Sequence, residues 1–373
     1  MNRQTAISGY LWIKLGILFA IALAISLFSV FPEQVESFYS VGIYPEIAFW
    51  LRKITKWAPF SIGDLIYTWL VILLIITAVK GGIIIYRRQY TRDRLIHFLF
   101  RIIRVILWVY IIFKLIWGLN YDRLGIAYQL KISKTEYTKE ELTQLTNQLI
   151  DSVNACRRQI KDTTLPTPVL DSVYAEAYHS YQIVSEKYEF LTYRNRSVKG
   201  SLFSSVGDYM GFSGYYNPFT GEAQLRTDIP RVLVPYIACH EMAHQLGYAS
   251  ESEANFVGYL AASSSSDVYF RYSVYLDLFS YAQGQEILMY GKEKDFKSFQ
   301  SIIKQNRDCL DTLVKKDRRE IREFFNKRRN RISPAVSSLY DQYLKMNKQL
   351  QGVNSYDEVV GWLIAYQNKY GKL

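Results

Sequence analysis

The sequence predicts a chain of two parts: an α-helical membrane anchor of three transmembrane helices in residues 1–119, and a mainly helical, α+β domain with a small sheet in residues 120–373. Three long apolar runs within the first 119 residues predict the anchor. Helix-period patterns with capping signals, interrupted by a glycine- and serine-rich stretch at 194–226, predict the second part. About 250 residues are enough for one domain with its own core.

The three spans are predicted at about 11–31, 65–86 and 97–119. A transmembrane helix needs about 20 apolar residues, and the first two runs meet this condition clearly. The third run contains Arg101 and Arg104, whose long side chains can reach the lipid headgroups while the rest of the helix lies in the bilayer. No small-x-small cleavage site precedes Phe31 and Pro32, so we expect the first run to be an anchor and not a cleaved signal peptide.

The distribution of basic residues predicts the orientation. The short loop between the second and third spans carries Arg87, Arg88, Arg92 and Arg94 and should be cytoplasmic. The N-terminus then also lies inside, and the loop from Pro32 to Ser61 lies outside with an interfacial helix around 47–57. The sequence therefore predicts an integral protein of the inner (cytoplasmic) membrane, with residues 120–373 extracytoplasmic and the lipid bilayer as a partner.

Excess positive charge does not indicate nucleic-acid binding here. The chain has 45 Lys and Arg against 34 Asp and Glu, a net charge of +11, and part of this excess is the orientation signal. The basic run at 315–329 lacks interleaved aromatic or glycine-rich features, so no nucleic-acid partner is predicted. We expect a solvated helix stabilised by mixed charges, with a surface for anionic lipid or an acidic partner as the alternative.

The elements of the second part follow from local signals. Thr138 and Glu141 form a capping box that opens a helix to about 160, and a second helix runs to about 190 after the break at 165–168. Turn residues between two short extended runs in 211–226 predict a β-hairpin. Asp228 can cap the next helix, and Pro235 predicts a kink in it or a later start. Further helices are predicted at about 266–290, 294–330, 334–350 and 355–370.

Half of the chain's four histidines lie on one helical turn. His240 and His244 are four residues apart, so on a helix both imidazoles lie on one face, close enough to share a metal ion. Glu241 directly follows the first histidine, which is the HExxH arrangement of zinc hydrolases. Gly247 then suits the end of the helix. The sequence predicts Zn²⁺ held by His240 and His244.

A catalytic zinc needs three protein ligands and one open position. Ser250 can cap a second helix that begins with two carboxylates, Glu251 and Glu253. The segment from Glu251 to Asn255 resembles the ExxxD/N pattern of gluzincins, which implies Glu251 as the third ligand and Asn255 as a hydrogen-bond partner of a ligand histidine, here His240. Glu253 is the alternative third ligand.

This metal centre predicts amide hydrolysis. Zinc lowers the pKa of its water towards about 7, and Glu241 is the expected general base that takes the proton. Tyr215 or Tyr216 could donate to the oxyanion, although a packed strand tyrosine is the expected role among 31 tyrosines. The substrate would be a peptide or protein. The alternative is a non-catalytic membrane protein with a structural metal site, and intramembrane cleavage is disfavoured because 231–250 is too polar to span.

Over nearly its whole length the chain resembles an uncharacterised, domain-of-unknown-function family of membrane-anchored, zincin-like proteins of Bacteroidota. The segments that carry the resemblance are 59–64, 117–121, 217–222, 240–248, 251–256 and 351–356. The resemblance implies a metallopeptidase of zincin-like fold and no particular substrate. The short gap between His244 and Glu251 departs from thermolysin-like enzymes, in which the third ligand comes much later, and this leaves Glu253 open.

Overall fold

The structure is a computed structural model that describes residues 3–89, 91–133, 136–165, 167–292, 296–330, 332–346 and 358–371. Within these ranges the chain is mostly helical. The first helices are α1 (Arg3–Phe28), α2 (Pro32–Gln34), α3 (Tyr44–Thr55), α4 (Ile62–Tyr86), α5 (Arg92–Ile116), α6 (Gly125–Leu130), α7 (Lys139–Gln159) and α8 (Leu170–Lys187). The later helices are α9 (Gly207–Met210), α10 (Val234–Gln245), α11 (Glu251–Ser264), α12 (Val268–Lys292), α13 (Phe296–Cys309), α14 (Thr312–Lys327), α15 (Ser333–Met346) and α16 (Val359–Tyr370). The strands are β1 (Val198–Gly200), β2 (Gly214–Asn217) and β3 (Glu222–Leu225).

Three helices, α1, α4 and α5, are long and apolar enough to cross a membrane. The helices α4 and α5 have 25 residues each, more than the about 20 residues that cover a bilayer core of about 30 Å. Most large apolar side chains of α4 are exposed, which suits a surface that faces lipid. These are the three predicted apolar helices.

The ends of the spans differ from the prediction. The apolar stretch of α1 ends at Phe28 and not at 31, and α4 begins at Ile62, before the predicted 65. The helix α5 covers Arg92–Ile116 where 97–119 was predicted, because the Thr91 side chain caps it by accepting from the Arg94 N–H at 3.3 Å. At its other end Trp117 leaves the helical conformation and a 3₁₀ turn follows.

The segment between α1 and α4 packs against the C-terminal part of the chain. It consists of α2, a π-helix over Val35–Ile43, and α3, which corresponds to the helix predicted at 47–57. Both Tyr44 and Arg52 are buried. A small apolar cluster joins this segment to α1 and α5 and includes Leu18, Val35, Ala48, Ile111 and Trp117.

The main core lies among α7, α8, α10, α11, α12 and α16. The predicted capping box is present: the Thr138 hydroxyl accepts from the Glu141 N–H at 3.2 Å, and the Glu141 carboxylate accepts from the Thr138 N–H at 2.9 Å. The helices α10 and α11 are the most completely buried pair, and their apolar side chains belong to this core. The HExxH helix therefore lies at the centre of the molecule.

The sheet has three short strands in the order β1-β3-β2. The strands β2 and β3 form the predicted hairpin, antiparallel with Tyr215 opposite Gln224, while β1 pairs with β3 in parallel. Gly221 closes the hairpin turn at φ +69°, where a side chain would also meet Leu51 of α3. Both strands of the hairpin contact α10, and β2 is an edge strand.

The predicted single helix at 294–330 is wrong, because the chain forms α13 and α14 with a break at Leu310 and Asp311. Two groups of α7 hold Asp311 out of a continuous helix. The Asn154 side chain accepts from the Asp311 N–H at 2.9 Å, and the Arg158 guanidinium pairs with its carboxylate at 2.6 Å. Asp311 thereby becomes the N-cap position of α14. The helices α15 and α16 correspond to the predicted 334–350 and 355–370, of which 347–350 and 355–357 lie outside the described residues.

Candidate metal centre

The helix that carries the HExxH motif begins late, as Pro235 indicated. A 3₁₀ turn over Arg231–Leu233 precedes α10, and Pro235 lies in the first turn of the α-helix, where its missing N–H costs no hydrogen bond. The imidazoles of His240 and His244 lie on one face, with ring centroids 4.8 Å apart and ring planes at 90°. Both side chains are almost fully buried.

A glycine turn brings the next helix back onto this face. Gly247 has φ +89°, and a Cβ there would lie 2.8 Å from the Tyr44 ring, so only glycine fits both the conformation and the space. Ser250 then occupies the N-cap position of α11. Close approach of α11 to α10 is possible because Gly258 has no side chain, since a Cβ there would lie 3.0 Å from the His240 backbone nitrogen. The first residue of α11, Glu251, is thereby directed at the two histidines.

Three ligand atoms converge at this point. The Nε2 atoms of His240 and His244 are 3.2 Å apart, and Oε2 of Glu251 lies 3.3 Å from the first and 3.6 Å from the second. A tetrahedral zinc with ligands at about 2.0–2.1 Å has ligand atoms about 3.3 Å from one another. The three side chains therefore have the spacing of three corners of a zinc tetrahedron, and they form a candidate metal-binding group.

His244 has a hydrogen-bond partner on the side away from the ligand atoms. Nδ1 of His244 lies 2.7 Å from the carbonyl oxygen of Tyr248, so an Nδ1–H donates to it and Nε2 keeps its lone pair for a metal. Asn255 lies close enough to the His240 ring to influence its pKa, and its backbone carbonyl and Oδ1 accept from the Tyr236 hydroxyl. Nδ1 of His240 itself has no hydrogen-bond partner among the described residues. Asn255 thus lies beside His240, and its predicted role as a hydrogen-bond partner of that ring stays a prediction.

Tyr340 is a partner of Glu251 that the sequence analysis did not identify. Its hydroxyl donates to Oε1 of Glu251 at 2.8 Å and leaves Oε2 to the histidines. Tyr340 belongs to α15, 89 residues along the chain from Glu251, and no local pattern distinguishes it from the other tyrosines. Only the packing of α15 over the end of α11 brings the two together.

The alternative ligand, Glu253, lies on the other side of α11. Its carboxylate accepts from the Ile126 N–H at 2.8 Å and lies close to Gly125, which has φ +69°. Nearby, the Arg123 guanidinium forms a buried ion pair with Glu36 at 2.7 Å. Glu253 therefore belongs to the contact between α11 and α6 and is not part of the ligand cluster.

The pKa values of the three side chains in the cluster depend on their burial and on the charges of their neighbours. Burial lowers the pKa of His240, whereas the carboxylate of Glu251 outweighs the same effect at His244 and raises its pKa to about 9. Burial alone would raise the pKa of Glu251, but the charge of His244 and the hydrogen bonds of both histidines hold it well below its usual range. The cluster thus stabilises a positive charge between its ligand atoms, where a divalent cation would replace the proton.

Glu241 lies beside the cluster without joining it. Its carboxylate is packed against β2, where a Cβ on Gly214 would come within 2.6 Å of Oε1. Oε2 of Glu241 is buried and accepts no hydrogen bond from the part of the chain that the structure describes. Burial raises the pKa of Glu241 to about 8. A buried carboxyl with an unused oxygen next to a metal-ligand cluster is suited to exchanging a proton with a water molecule there.

A large cavity opens beside these groups. It has a volume of about 1040 Å³, and His240 and Glu241 form part of its wall. Most of the other lining side chains are aromatic or aliphatic and come from α4, α9, α10, α12, α14, α15 and the β2 region. Asp277 and Asn255 are polar exceptions. The cluster is therefore reachable by a molecule much larger than water.

The strand tyrosines considered as oxyanion donors have other partners. The Tyr215 hydroxyl donates to Oδ1 of Asp64 at 2.6 Å and shares a hydrogen bond with Ser201 at 2.8 Å. The Tyr216 hydroxyl lies 3.5 Å from that of Tyr44 and is buried in the interior. Both tyrosines therefore hold the hairpin against α3 and α4 in this structure.

The end of α10 is capped by side chains from the first 119 residues. The last carbonyl groups of a helix lack partners within the helix. Here the carbonyl of Gln245 accepts from the Tyr44 hydroxyl at 3.0 Å and from the Arg52 guanidinium at 2.9 Å, and the carbonyl of His244 accepts from the Trp117 indole at 3.2 Å. The cation of Arg52 also suits the negative end of the helix dipole.

Comparison with known proteins gives a family and no assigned activity. No curated protein and no solved structure matches the chain. One family model, described as a protein of unknown function (DUF3810), matches residues 39–364, which include α4, α5, the sheet and the whole histidine–glutamate cluster. The chain therefore belongs to the DUF3810 family of proteins of unknown function.

Proposed function

We propose that this protein is a membrane-anchored, zinc-dependent peptidase of zincin-like architecture that hydrolyses peptide bonds outside the cytoplasm. One observation carries the proposal: the ligand atoms of His240, His244 and Glu251 lie 3.2–3.6 Å from one another, with the carboxyl of Glu241 beside them and a large cavity in front. Two nitrogen ligands and one carboxylate favour zinc among the divalent metals and match the ligand sets of hydrolytic zinc sites.

In the proposed reaction, bound Zn²⁺ supplies a Lewis acid that acidifies water and polarises a carbonyl group. Glu241 accepts a proton from the attacking water and passes it to the leaving amine, for which its buried position and unused Oε2 are suited. His240, His244 and Glu251 hold the metal, while the Tyr248 carbonyl orients His244 and the Tyr340 hydroxyl orients Glu251. Asn255 lies beside His240.

The edge strand beside the cluster supports a peptide as the substrate. Among the described residues the strand β2 is paired on one side only, and its first residues, Gly214 and Tyr215, line the cavity with Glu241. An extended peptide can pair with such an edge through its backbone. That arrangement would lay a peptide bond across the cluster.

The position of the site relative to the membrane follows from the three apolar helices and the basic loop after α4. Arg87, Arg88, Arg92 and Arg94 favour the cytoplasmic side for that loop. The opposite ends of α4 and α5 lie near the candidate metal centre, since Tyr67 of α4 lines the cavity with His240 and Trp117, directly after α5, donates to the His244 carbonyl. The site would then work on the extracytoplasmic face of the inner membrane.

Glutamine at Glu241 tests the mechanism. The full-length Glu241→Gln protein should bind zinc as the wild type does and lose hydrolysis of an unfolded protein such as casein, by a factor on the order of 10²–10⁴. The matched His240→Ala variant should lose both zinc and activity. Wild-type activity in Glu241→Gln, or activity that survives removal of zinc, contradicts the proposal.

The alternative, a non-catalytic membrane protein with a structural metal site, makes a different prediction. Structural zinc sites are closed by four protein ligands. Among the described residues the candidate group comprises three, and the cavity adjoins it. A spectroscopic measurement on the cobalt-substituted protein that showed four protein ligands and no water would favour this alternative.

A further inference from the structure

One wall of the cavity belongs to an apolar helix. Tyr67 and Val71 of α4 line the same cavity as His240 and Glu241. The helix α4 is the second candidate span, so the cavity extends from the metal-ligand cluster onto the surface of a helix long and apolar enough to cross a membrane. A site that binds only soluble peptides would not require a cavity wall on a candidate transmembrane helix.

The position of this cavity wall relative to the membrane follows from the other end of α4. The helix ends at Tyr86 and is followed by Arg87 and Arg88, which belong at the cytoplasmic headgroups. The hydrocarbon core is about 30 Å thick and holds about 20 helical residues. Counting that length back from Tyr86 reaches Tyr67, and Val71 lies one helical turn deeper. The wall of the cavity therefore lies at the outer boundary of the lipid hydrocarbon.

The rim of the cavity suits that location. Val71, Met210 and Leu339 line the cavity and are still exposed, to 53%, 49% and 67%. Such a contiguous apolar rim is unfavourable in water and favourable against lipid or an apolar ligand. The helix α14 lines the cavity through Ile321 and Phe325. Its exposed cations Arg319, Arg322 and Lys327 would suit anionic headgroups at the same level.

We propose that the substrate is the juxtamembrane segment of another membrane-spanning polypeptide, cut within a few residues of the point where it leaves the outer face of the bilayer. This inference rests on the proposed peptidase function. A polypeptide is favoured over a lipid because the cavity combines its apolar wall with the unpaired edge of β2, which offers backbone hydrogen bonds that an acyl chain cannot use.

The site of cleavage follows from the backbone. Inside the hydrocarbon a spanning segment stays helical, because its backbone groups have no other partners there. It becomes extended, and able to pair with β2, only after it leaves the lipid. The scissile bond must therefore lie beyond the end of the substrate helix, while the apolar residues before it contact Tyr67 and Val71.

The test compares one cleavable segment in three settings, with full-length protein and zinc in liposomes. An unstructured casein fragment is placed directly after the outer end of a single transmembrane helix, or separated from that helix by a folded domain, or left free in solution. We expect the first form to be cut at least about tenfold faster than the other two, at sites within about ten residues of the helix end. Equal cleavage rates for the three forms, or cleavage sites whose positions do not depend on the distance from the helix end, would overturn the inference.

Two tryptophan variants of α4 test the cavity wall. Val71→Trp fills the cavity from the helix side and should reduce cleavage of the membrane-attached fragment at least about tenfold, with zinc content unchanged. Val79→Trp is the matched control, since Val79 is an exposed valine two turns further along α4 and does not line the cavity. Wild-type cleavage by Val71→Trp would overturn the inference.

The outcomes separate the two proposals. If zinc- and Glu241-dependent cleavage of all three forms occurs at one rate, the peptidase function stands and the membrane-proximal substrate is wrong. If the wild type cuts none of the forms while it binds zinc, the peptidase function itself fails and the inference fails with it.

Discussion

Removal of one hydroxyl, in Tyr340→Phe, tests whether Glu251 is a metal ligand. The Tyr340 hydroxyl donates to Oε1 of Glu251 at 2.8 Å, while Oε2 faces the two histidines. A hydrogen bond to a charged group contributes about 1.5–3 kcal/mol. Tyr340 is 38% exposed, so water can partly replace the bond and the lower end of that range applies. Because about 1.4 kcal/mol corresponds to a factor of ten, the zinc Kd should rise about tenfold.

The assay is a competition for zinc between the full-length protein in detergent and a chelator of known affinity. Tyr128→Phe is the matched control, because Tyr128 is an exposed tyrosine on α6 and should leave the zinc Kd unchanged. The reasoning is refuted if Tyr340→Phe binds zinc as tightly as the wild type. It is also refuted if the variant loses zinc as completely as His240→Ala, since an orienting hydrogen bond cannot account for so large a loss.

Three further predictions concern other parts of the molecule. In Gly214→Ala the new Cβ would lie 2.6 Å from Oε1 of Glu241, so the carboxylate must move. The kcat for casein should then fall about a hundredfold with an unchanged zinc Kd. An unaltered kcat would disprove the proposed position of the general base. Arg123→Ala leaves the buried carboxylate of Glu36 without its ion-pair partner and should lower the free energy of unfolding by about 3–5 kcal/mol. Denaturant titration in detergent measures this change. A loss below about 1 kcal/mol would mean that the ion pair is solvated. Burial raises the pKa of Glu286 in α12 from its ordinary value of 4.5 to about 7, so the folded state holds a proton that the unfolded state releases. Stability should therefore fall as pH rises from about 4.5 to about 7, and Glu286→Gln should flatten that slope in thermal melts at several pH values.

The local parts of the fold and of the site could be predicted from the sequence. Apolar length alone located the three candidate spans, and the capping box of Thr138 and Glu141 located the start of α7. Helical spacing placed His240 and His244 on one face, because four residues are close to one turn. These features depend on neighbours within a few residues, so they need no knowledge of the tertiary structure.

The choice between Glu251 and Glu253 needed the packing of α10 against α11. Two residues along a helix change the direction of a side chain by about 200°. Gly258 sets the distance between the two helices and thereby directs Glu251 towards the histidines. In the same way, the break at Asp311 depends on side chains of α7 that are far away in the sequence, although an aspartate before a helical pattern was a usable N-cap signal.

The hydrogen-bond donors that cap the C-terminal end of α10 have a practical consequence. Tyr44 and Arg52 lie between the first two apolar helices, and Trp117 directly follows the third. A truncated protein that starts at residue 120 would leave the carbonyls of His244 and Gln245 without these donors, and we expect it to bind zinc more weakly than the full-length protein. In the intact protein, a thinner or thicker bilayer that tilts α5 would shift Trp117 and pull on His244. Lipid thickness is thus a variable that could alter the geometry of the histidine–glutamate cluster.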